Sequence, residues 1–262
     1  MSEHLARTMR TGTLLALVWL AGTASAADSS QPTDTKSAGD PPLVIYHLEG
    51  RRSERIVWLC EELGRPYRLE YKRGDLAGSM QTIRSVSPLM PVAPTVRYGD
   101  QIMVESGAII ELILAREGKG RLAPALNSPD YPYYLQWMHF SEGSLASRVI
   151  ADYRVALIQG RPKQPEGGYR LVDSEGVLKF ADDFLSKHPW FGGKEFSAAD
   201  IMMLFPINFA GGLNVVDMSE FPHVVAWQKK VESRPAYKKM LTVARPDGLI
   251  GSPRALPKEP AK

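Results

Sequence analysis

The sequence predicts an α+β chain in which a small domain of alternating strands and helices precedes a domain built from helices alone. Two observations lead to this prediction. The first part of the chain carries a strand, helix and strand pattern over 43–71, and a strand, turn, strand and helix pattern over 95–113. From residue 130 onward the apolar residues follow the helical period, and no alternating strand pattern interrupts them.

The composition limits the classes of function. The chain has 262 residues, of which 44% are apolar, enough for two modest domains with cores of their own. The formal net charge is +3 and no run of basic residues stands out, so we expect no nucleic-acid partner. Cys60 is the single cysteine, and the five histidines form no HxxxH or HExxH motif. We therefore expect no disulfide within the chain and no metal site.

The N-terminus has the three-part pattern of a secretory signal peptide. Arg7 and Arg10 precede an apolar run over 14–21, and small residues follow at the spacing that a signal peptidase reads, ending at Ala26. The run is too short to span a bilayer, which takes about 20 apolar residues. The sequence thus predicts a signal peptide over 1–26 and cleavage after Ala26.

A polar, proline-containing stretch over 27–41 follows and predicts a disordered linker. We expect the processed protein to be periplasmic or secreted, without a membrane contact. An uncleaved anchor, or a cytoplasmic protein that starts at Met9, is the alternative.

The first folded domain is predicted over 42–120. A buried strand over 43–46 leads into a helix that Gly64 ends, and a second strand over 68–71 follows. A strand, helix and strand in this order form a unit with parallel strands. A short second helix is predicted from Met80 to Ser87.

The stretch over 92–113 completes this domain and carries its most informative pattern. Pro94 precedes an extended run, Gly99 and Asp100 supply a turn, and a second extended run follows. Glu105 and Ser106 then stand at the start of a helix, whose free N–H groups and positive dipole end can hold a carboxylate. The predicted order of elements is βαβαββα, which is that of a thioredoxin-like domain.

This order of proline, strand, turn, strand, Glu-Ser and helix resembles the glutathione-binding domain of glutathione transferases. The stretch YHLEGRRSERIVWLCEELGRPY is most similar to the fungal and bacterial subgroup with HSR-type loops. The resemblance implies that Pro94 is cis and that the main chain of Ala93 pairs with the cysteinyl part of glutathione like an added strand. It also implies that Glu105 binds the γ-glutamyl ammonium and that Ser106 binds the γ-glutamyl carboxylate.

The start of the first helix departs from the pattern of that family. Glutathione transferases activate the thiol with a Tyr, Ser or Cys here, and Arg51 occupies the usual serine position of the HSR-type loop. Three candidates remain: Tyr46 at the strand end, Ser53 in the first helical turn, and Arg51, whose charge can stabilise a thiolate. Its position slightly favours Ser53. An equally good interpretation makes Tyr46 a core residue and Ser53 a helix cap. Arg51 or Arg52 is also a candidate for the glycine end of glutathione.

The second folded domain is predicted over 128–243, with an irregular tail over 244–262. A long aromatic-rich helix starts after Asp130, and a polar loop follows over 159–169. In the family this helix lines the pocket of the second, apolar substrate. The residues spaced for one broad face are Tyr134, Met138, Ser141, Glu142 and Leu145. The alternative is that this face is buried in a helical core and that Glu142 pairs with Arg148 on the helix surface.

A later helix begins with a capping box. Ser197 can accept a hydrogen bond from the first turn, and Asp200 can reach back to the cap N–H. The same box opens the central helix of the glutathione transferase C-terminal domain, and we interpret it as structural. The resemblance therefore covers about 43–243.

Three functions remain open from the sequence. The first is an enzyme that binds glutathione as co-substrate and uses its thiolate to attack an apolar electrophile or to reduce an organic peroxide; the family also implies a homodimer. The second is a module of the same fold that binds glutathione or an apolar ligand without turnover. The third, a thioredoxin-type disulfide oxidoreductase, is weakened by the absence of a CxxC motif.

Overall fold

The structure is a computed structural model that describes residues 41–160 and 172–258. The predicted signal peptide, the predicted linker up to residue 40, most of the predicted loop over 159–169 and the last four residues lie outside the described residues. No helix in the two described ranges is both long and apolar enough to cross a membrane.

The first domain is a four-stranded mixed sheet with three helices. The strands lie in the order β2-β1-β3-β4, with β1 parallel to β2 and the other neighbours antiparallel. This arrangement confirms the predicted βαβαββα order. The elements are β1 Leu43–Tyr46, α1 Glu54–Leu63, β2 Arg68–Glu70, α2 Leu76–Val86, β3 Thr95–Tyr98, β4 Gln101–Val104 and α3 Ser106–Glu117.

The two faces of β1 belong to different cores. Leu43 and Ile45 pack with α1, α3 and the helices of the second domain, whereas Val44 and Tyr46 pack against α2. This division follows from the alternation of side chains along a strand. Helix α1, which follows β1 after a short loop, therefore packs between the sheet and the helical domain.

Two element boundaries differ from the prediction. Helix α2 begins at Leu76 rather than Met80, because the Asp75 side chain accepts a hydrogen bond from Gly78 N at 2.8 Å and caps the helix there. Strand β2 ends at Glu70 rather than Tyr71.

The second domain is helical, as predicted. The single long helix predicted after Asp130 is continuous, but one π-helical segment interrupts its α-helical hydrogen bonding over Ser141–Ala146. The helices are α4 Tyr131–Phe140, α5 Ser147–Gln159, α6 Ser174–Leu185, α7 Ala198–Gly212, α8 Pro222–Glu232 and α9 Pro235–Ala244.

The capping box at the start of α7 is formed as predicted, and Asp200 does more than cap. Its carboxylate accepts from the N–H groups of Ser197 and Phe191, both at 2.9 Å, and from Trp227 Nε1 at 2.8 Å. Asp200 is fully buried. It thus joins the start of α7 to the preceding loop and to α8.

The tail after α9 contains no helix or strand up to residue 258, but it packs on both domains. Asp247 forms a two-contact ion pair with Arg73, which follows β2. Leu256 is buried, and its N–H donates to Leu213 O at 2.9 Å. We call residues 245–256 the C-terminal strap.

We expect Asp200→Ala to lower the free energy of unfolding by about 3 kcal/mol or more, because three buried N–H donors lose their acceptor. Urea denaturation of the purified chain measures this. Asp217→Ala is the matched control, since Asp217 caps an exposed turn through Ser219 N at 3.0 Å and its loss should destabilise the fold much less than that of Asp200. Equal losses in both variants would contradict the central role of Asp200.

Candidate functional site

The loop before α1 is held by His47. Its Nε2 lies 2.5 Å from the main-chain oxygen of Ala244 at the end of α9. A carbonyl oxygen only accepts, so Nε2 carries the proton and Nδ1 accepts from the Ser53 hydroxyl at 2.9 Å. Burial lowers the pKa of His47 to about 4, so the ring is neutral near pH 7.

This network occupies the hydroxyl of Ser53. Its proton goes to His47, and its oxygen accepts the N–H of Leu48 at 3.1 Å. The Ser53 side chain is completely buried. The Ser53 side chain therefore does not reach an open surface, because its hydroxyl is bound by His47, six residues earlier in the chain, which is itself held by the distant Ala244.

Tyr46 is placed in the interior as well. It is 6% exposed and packs with Leu48 and Ile83 between the sheet and α2. Its hydroxyl accepts from Arg97 Nε at 3.4 Å. This agrees with the alternative interpretation of Tyr46 as a core residue.

Arg51, the third candidate, lines an apolar cavity. Its guanidinium donates to the main-chain oxygens of Glu49, Gly50 and Gly251, at 3.4, 3.2 and 2.8 Å. The N–H groups of Arg52 and Ser53, in the turn that leads into α1, find no acceptor among the described residues. The start of α1 therefore combines free N–H donors with positive charge.

The cavity has a volume of about 360 Å³ and lies between α1, α7, α9 and the C-terminal strap. Its walls are mainly apolar, with Trp58 from α1, Phe205 and Phe209 from α7, Met240 from α9, and Leu249 from the strap. Gly50 makes the close approach of the strap possible: its φ is +68°, and a Cβ there would lie 2.3 Å from Leu249 Cδ1.

The face of the long helix that was predicted to line the pocket does not line this cavity. Tyr134, Met138 and Leu145 are buried in the core of the helical domain. Ser141 and Glu142 bind Arg55 instead. The cavity uses α7, and which helix faces the strap depends on packing that local periodicity does not determine.

The residues predicted to hold glutathione do not line this cavity, but they reach it through Arg55, which lines it and binds Ser106. The Ala93–Pro94 peptide bond is cis, as the resemblance implies. Ala93 packs against the cluster that contains Tyr46 and Leu48. Ser106 is the first residue of α3 and is buried, while Glu105 before it is exposed.

Glu105 has a strained main chain. Its φ of 75° and ψ of 109° are unusual for a residue with a side chain, and such conformations cost about 1–3 kcal/mol. Strain of this kind persists where the surrounding structure fixes it, and it is frequent at ligand sites. The Glu105 side chain is thereby presented to solvent directly above the helix start that carries Ser106.

Arg55 connects the start of α3 to the helical domain, a role that was not expected from the sequence. Its guanidinium donates to Ser106 Oγ at 3.3 Å, Ser141 Oγ at 3.0 Å, and both Met202 O and Glu142 Oε1 at 2.5 Å. Burial lowers the pKa of Arg55 to about 10, so it remains charged near pH 7. In the sequence Arg55 stands four residues after Arg51, where the resemblance to glutathione transferases aligns it with the arginine of the family's first helix.

Glu142 completes this charge network. Burial alone would raise the pKa of its carboxyl, but Arg55 and Arg52 together lower it, and Arg52 Nε lies 2.7 Å away. The predicted pairing of Glu142 with Arg148 is wrong, since Arg148 lies 3.7 Å from Asp152, one turn further along the helix.

Cys60 lies in the core of α1 and is fully buried. Burial raises the pKa of its thiol to about 12, so the thiolate is not available. Cys60 is therefore an inert core residue.

Comparison with known proteins agrees with this architecture. Residues 150–235 match the family described as glutathione S-transferase, C-terminal domain. Glutathione S-transferase 3 of Schizosaccharomyces pombe is 30% identical over 207 residues, which are 74% of this chain and 84% of that protein. The Disulfide-bond oxidoreductase YfcG of Escherichia coli is 24% identical over 205 residues, which are 78% of this chain and 90% of that protein.

Solved structures share the fold. A glutathione S-transferase from Actinobacillus pleuropneumoniae superposes with a TM-score of 0.65 and 26% identity, over 77% of this chain and 92% of that one. The glutathione transferase URE2P6 of Phanerochaete chrysosporium, in complex with oxidized glutathione, superposes with a TM-score of 0.61 and 22% identity. The superposition covers 79% of this chain and 98% of that one. Together with the extent and identity of the S. pombe match, these findings show that the chain belongs to the glutathione S-transferase family.

Proposed function

We propose that this protein is a glutathione transferase whose bound glutathione, as the thiolate, attacks an apolar electrophile or reduces an organic peroxide. The observation that carries the proposal is the Glu105-Ser106 pair at the start of α3, which Arg55 ties to the helix that borders an apolar cavity. The start of α3 thus offers groups for a zwitterionic peptide, and the cavity that Arg55 also lines offers space for an apolar substrate.

The γ-glutamyl end of glutathione fits the start of α3. The hydroxyl of Ser106 and the free N–H groups of the helix can donate to its carboxylate, and Glu105 can accept from its ammonium. The nearby Arg55 adds positive potential for the carboxylate. The main chain of Ala93, before the cis bond, supports the cysteinyl part in the manner that the family implies.

The sulfur then lies over the start of α1. Lowering its pKa by about two units, from about 8.5, takes roughly 2.7 kcal/mol. The free N–H group of Arg52 and the helix dipole support a thiolate there, as helix starts do for cysteines. The charge of Arg51 acts on the sulfur through its electrostatic field and not through a hydrogen bond. Its guanidinium points toward the strap, where it binds Gly251 O.

A non-catalytic glutathione-binding module is the second candidate. The replacement of the usual activating serine by Arg51 favours it, because the structure gives neither Ser53 nor Tyr46 a free hydroxyl toward the site. Turnover separates the two functions, since both require glutathione binding. The disulfide oxidoreductase name of the E. coli relative points to redox chemistry, which in this chain would depend on glutathione because Cys60 is inert.

We expect bound glutathione to titrate with a thiol pKa about two units below its free value, and the wild-type protein to turn over at least one electrophile or organic peroxide. Ultraviolet absorbance of the bound thiolate across the pH range measures the first quantity. Arg51→Gln should raise this pKa by about one unit or less, because it removes a charge but no direct bond. Ser53→Ala should leave it unchanged.

Two outcomes would change these assignments. A rise of about one unit in Ser53→Ala, with unfolding by urea unaltered, would show that its hydroxyl reaches the sulfur. Bound glutathione that remains a thiol near pH 7, without turnover of any substrate, would establish the binding module.

We also propose that the protein is exported after cleavage behind Ala26 and acts as a homodimer, on the support of the N-terminal sequence pattern and the family. We expect mass spectrometry of the protein from its native host to find Ala27 as the first residue, and light scattering to give twice the chain mass. A cytoplasmic protein that begins at Met1 or Met9 would contradict the export.

A further inference from the structure

The charges around the apolar cavity do not balance. Arg51, Arg55, Arg245 and Glu54 line it. Arg55 is matched by Glu142 at 2.5 Å, and Arg245 Nε lies 3.5 Å from Glu54 Oε1. These two pairs account for every charged lining residue except Arg51.

Arg51 makes no ion pair with a described residue. Its three acceptors are main-chain carbonyl oxygens, two in its own loop and one, Gly251 O, in the strap. These bonds fix the direction of the guanidinium without neutralising it. An arginine held in this way is a prepared site for an anion, because its planar fork matches a carboxylate in geometry as well as in charge.

The surroundings strengthen this attraction. Aromatic and aliphatic side chains, among them Trp58, Phe205, Phe209 and Met240, form most of the cavity wall. A charge pair bordered by apolar surface is screened less than one in water. A ligand that combines an apolar body with one anionic group would satisfy both parts of the cavity.

We propose that this cavity selects apolar ligands that carry a carboxylate, with Arg51 as the residue that binds the carboxylate and α7, α9 and the strap as the walls that hold the apolar body. This inference rests on the proposed function in one respect: it takes these ligands to be the class of the second substrate. The site itself needs no glutathione, so ligand binding tests it separately from turnover.

The test uses a matched pair of ligands, 2-naphthoate and its neutral amide, 2-naphthamide, titrated into the full processed chain without glutathione. Quenching of tryptophan fluorescence reports binding, because Trp58 lines the cavity. We expect the wild type to bind the carboxylate about tenfold more tightly than the amide. Arg51→Gln should abolish this preference and leave the affinity for the amide unchanged.

Arg84→Gln is the matched control, since Arg84 is an exposed residue of α2 that does not line the cavity, and it should bind both ligands as the wild type does. A second measurement needs no variant: added salt should weaken binding of the carboxylate and not of the amide. Equal wild-type affinities for the two ligands, or an equal loss of both in Arg51→Gln, would overturn the proposal.

A competition experiment tests the remaining alternative, in which Arg51 binds a carboxylate of glutathione. If S-methylglutathione displaces 2-naphthoate competitively, Arg51 belongs to the glutathione site and the proposal is wrong. If both ligands bind together, the cavity is a separate anion-selective site, whether or not the protein shows transferase activity.

Discussion

The buried guanidinium of Arg55 is the interaction on which the site depends. One side chain joins α1, the start of α3, the π-helical segment and a main-chain carbonyl of α7. It is 2% exposed and also lies over the ring of Phe205, with its Cζ 5.4 Å from the ring centre. Loss of Glu142, whose side chain is 34% exposed, would leave the buried charge of Arg55 without its carboxylate partner, which is destabilising. The two domains are thus fixed against each other at the point where glutathione and its second substrate are expected to meet.

A second set of long-range bonds shapes the cavity at the start of α1. His47 binds the last turn of α9, Arg73 binds Asp247, and Arg51 binds Gly251. The strap therefore forms a wall of the cavity and also orients Arg51, the one arginine of the cavity lining that forms no ion pair with a described residue. Cavity shape and cavity charge depend on the same contacts, so a change in the strap is expected to alter both.

The sequence was informative wherever a local pattern decides the structure. Strand and helix periods gave the βαβαββα order, and the Ser197 box marked the start of α7, since capping involves residues only a few positions apart. The N-cap at Asp75 was equally local and could have been found. The role of Ser53 could not have been predicted. Its hydroxyl is fixed by the imidazole of His47, and that ring is held by Ala244, 197 residues further along the chain. The pairing of Arg55 with Glu142, 87 residues apart, and the choice of α7 over the long helix as cavity wall depend on tertiary packing in the same way.

The most direct test of glutathione binding at the start of α3 is a calorimetric comparison of glutathione with cysteinylglycine, which lacks the γ-glutamyl end, in the wild type and in Ser106→Ala. We expect glutathione to bind with a Kd in the micromolar to millimolar range, about 4–8 kcal/mol, and cysteinylglycine to bind at least about tenfold more weakly. Ser106→Ala should weaken glutathione by about 1 kcal/mol or more, because a charge-assisted bond is lost, and should leave cysteinylglycine unchanged. Equal affinities for the two peptides, or an equal effect of the substitution on both, would contradict the assignment of Glu105 and Ser106 to the γ-glutamyl end.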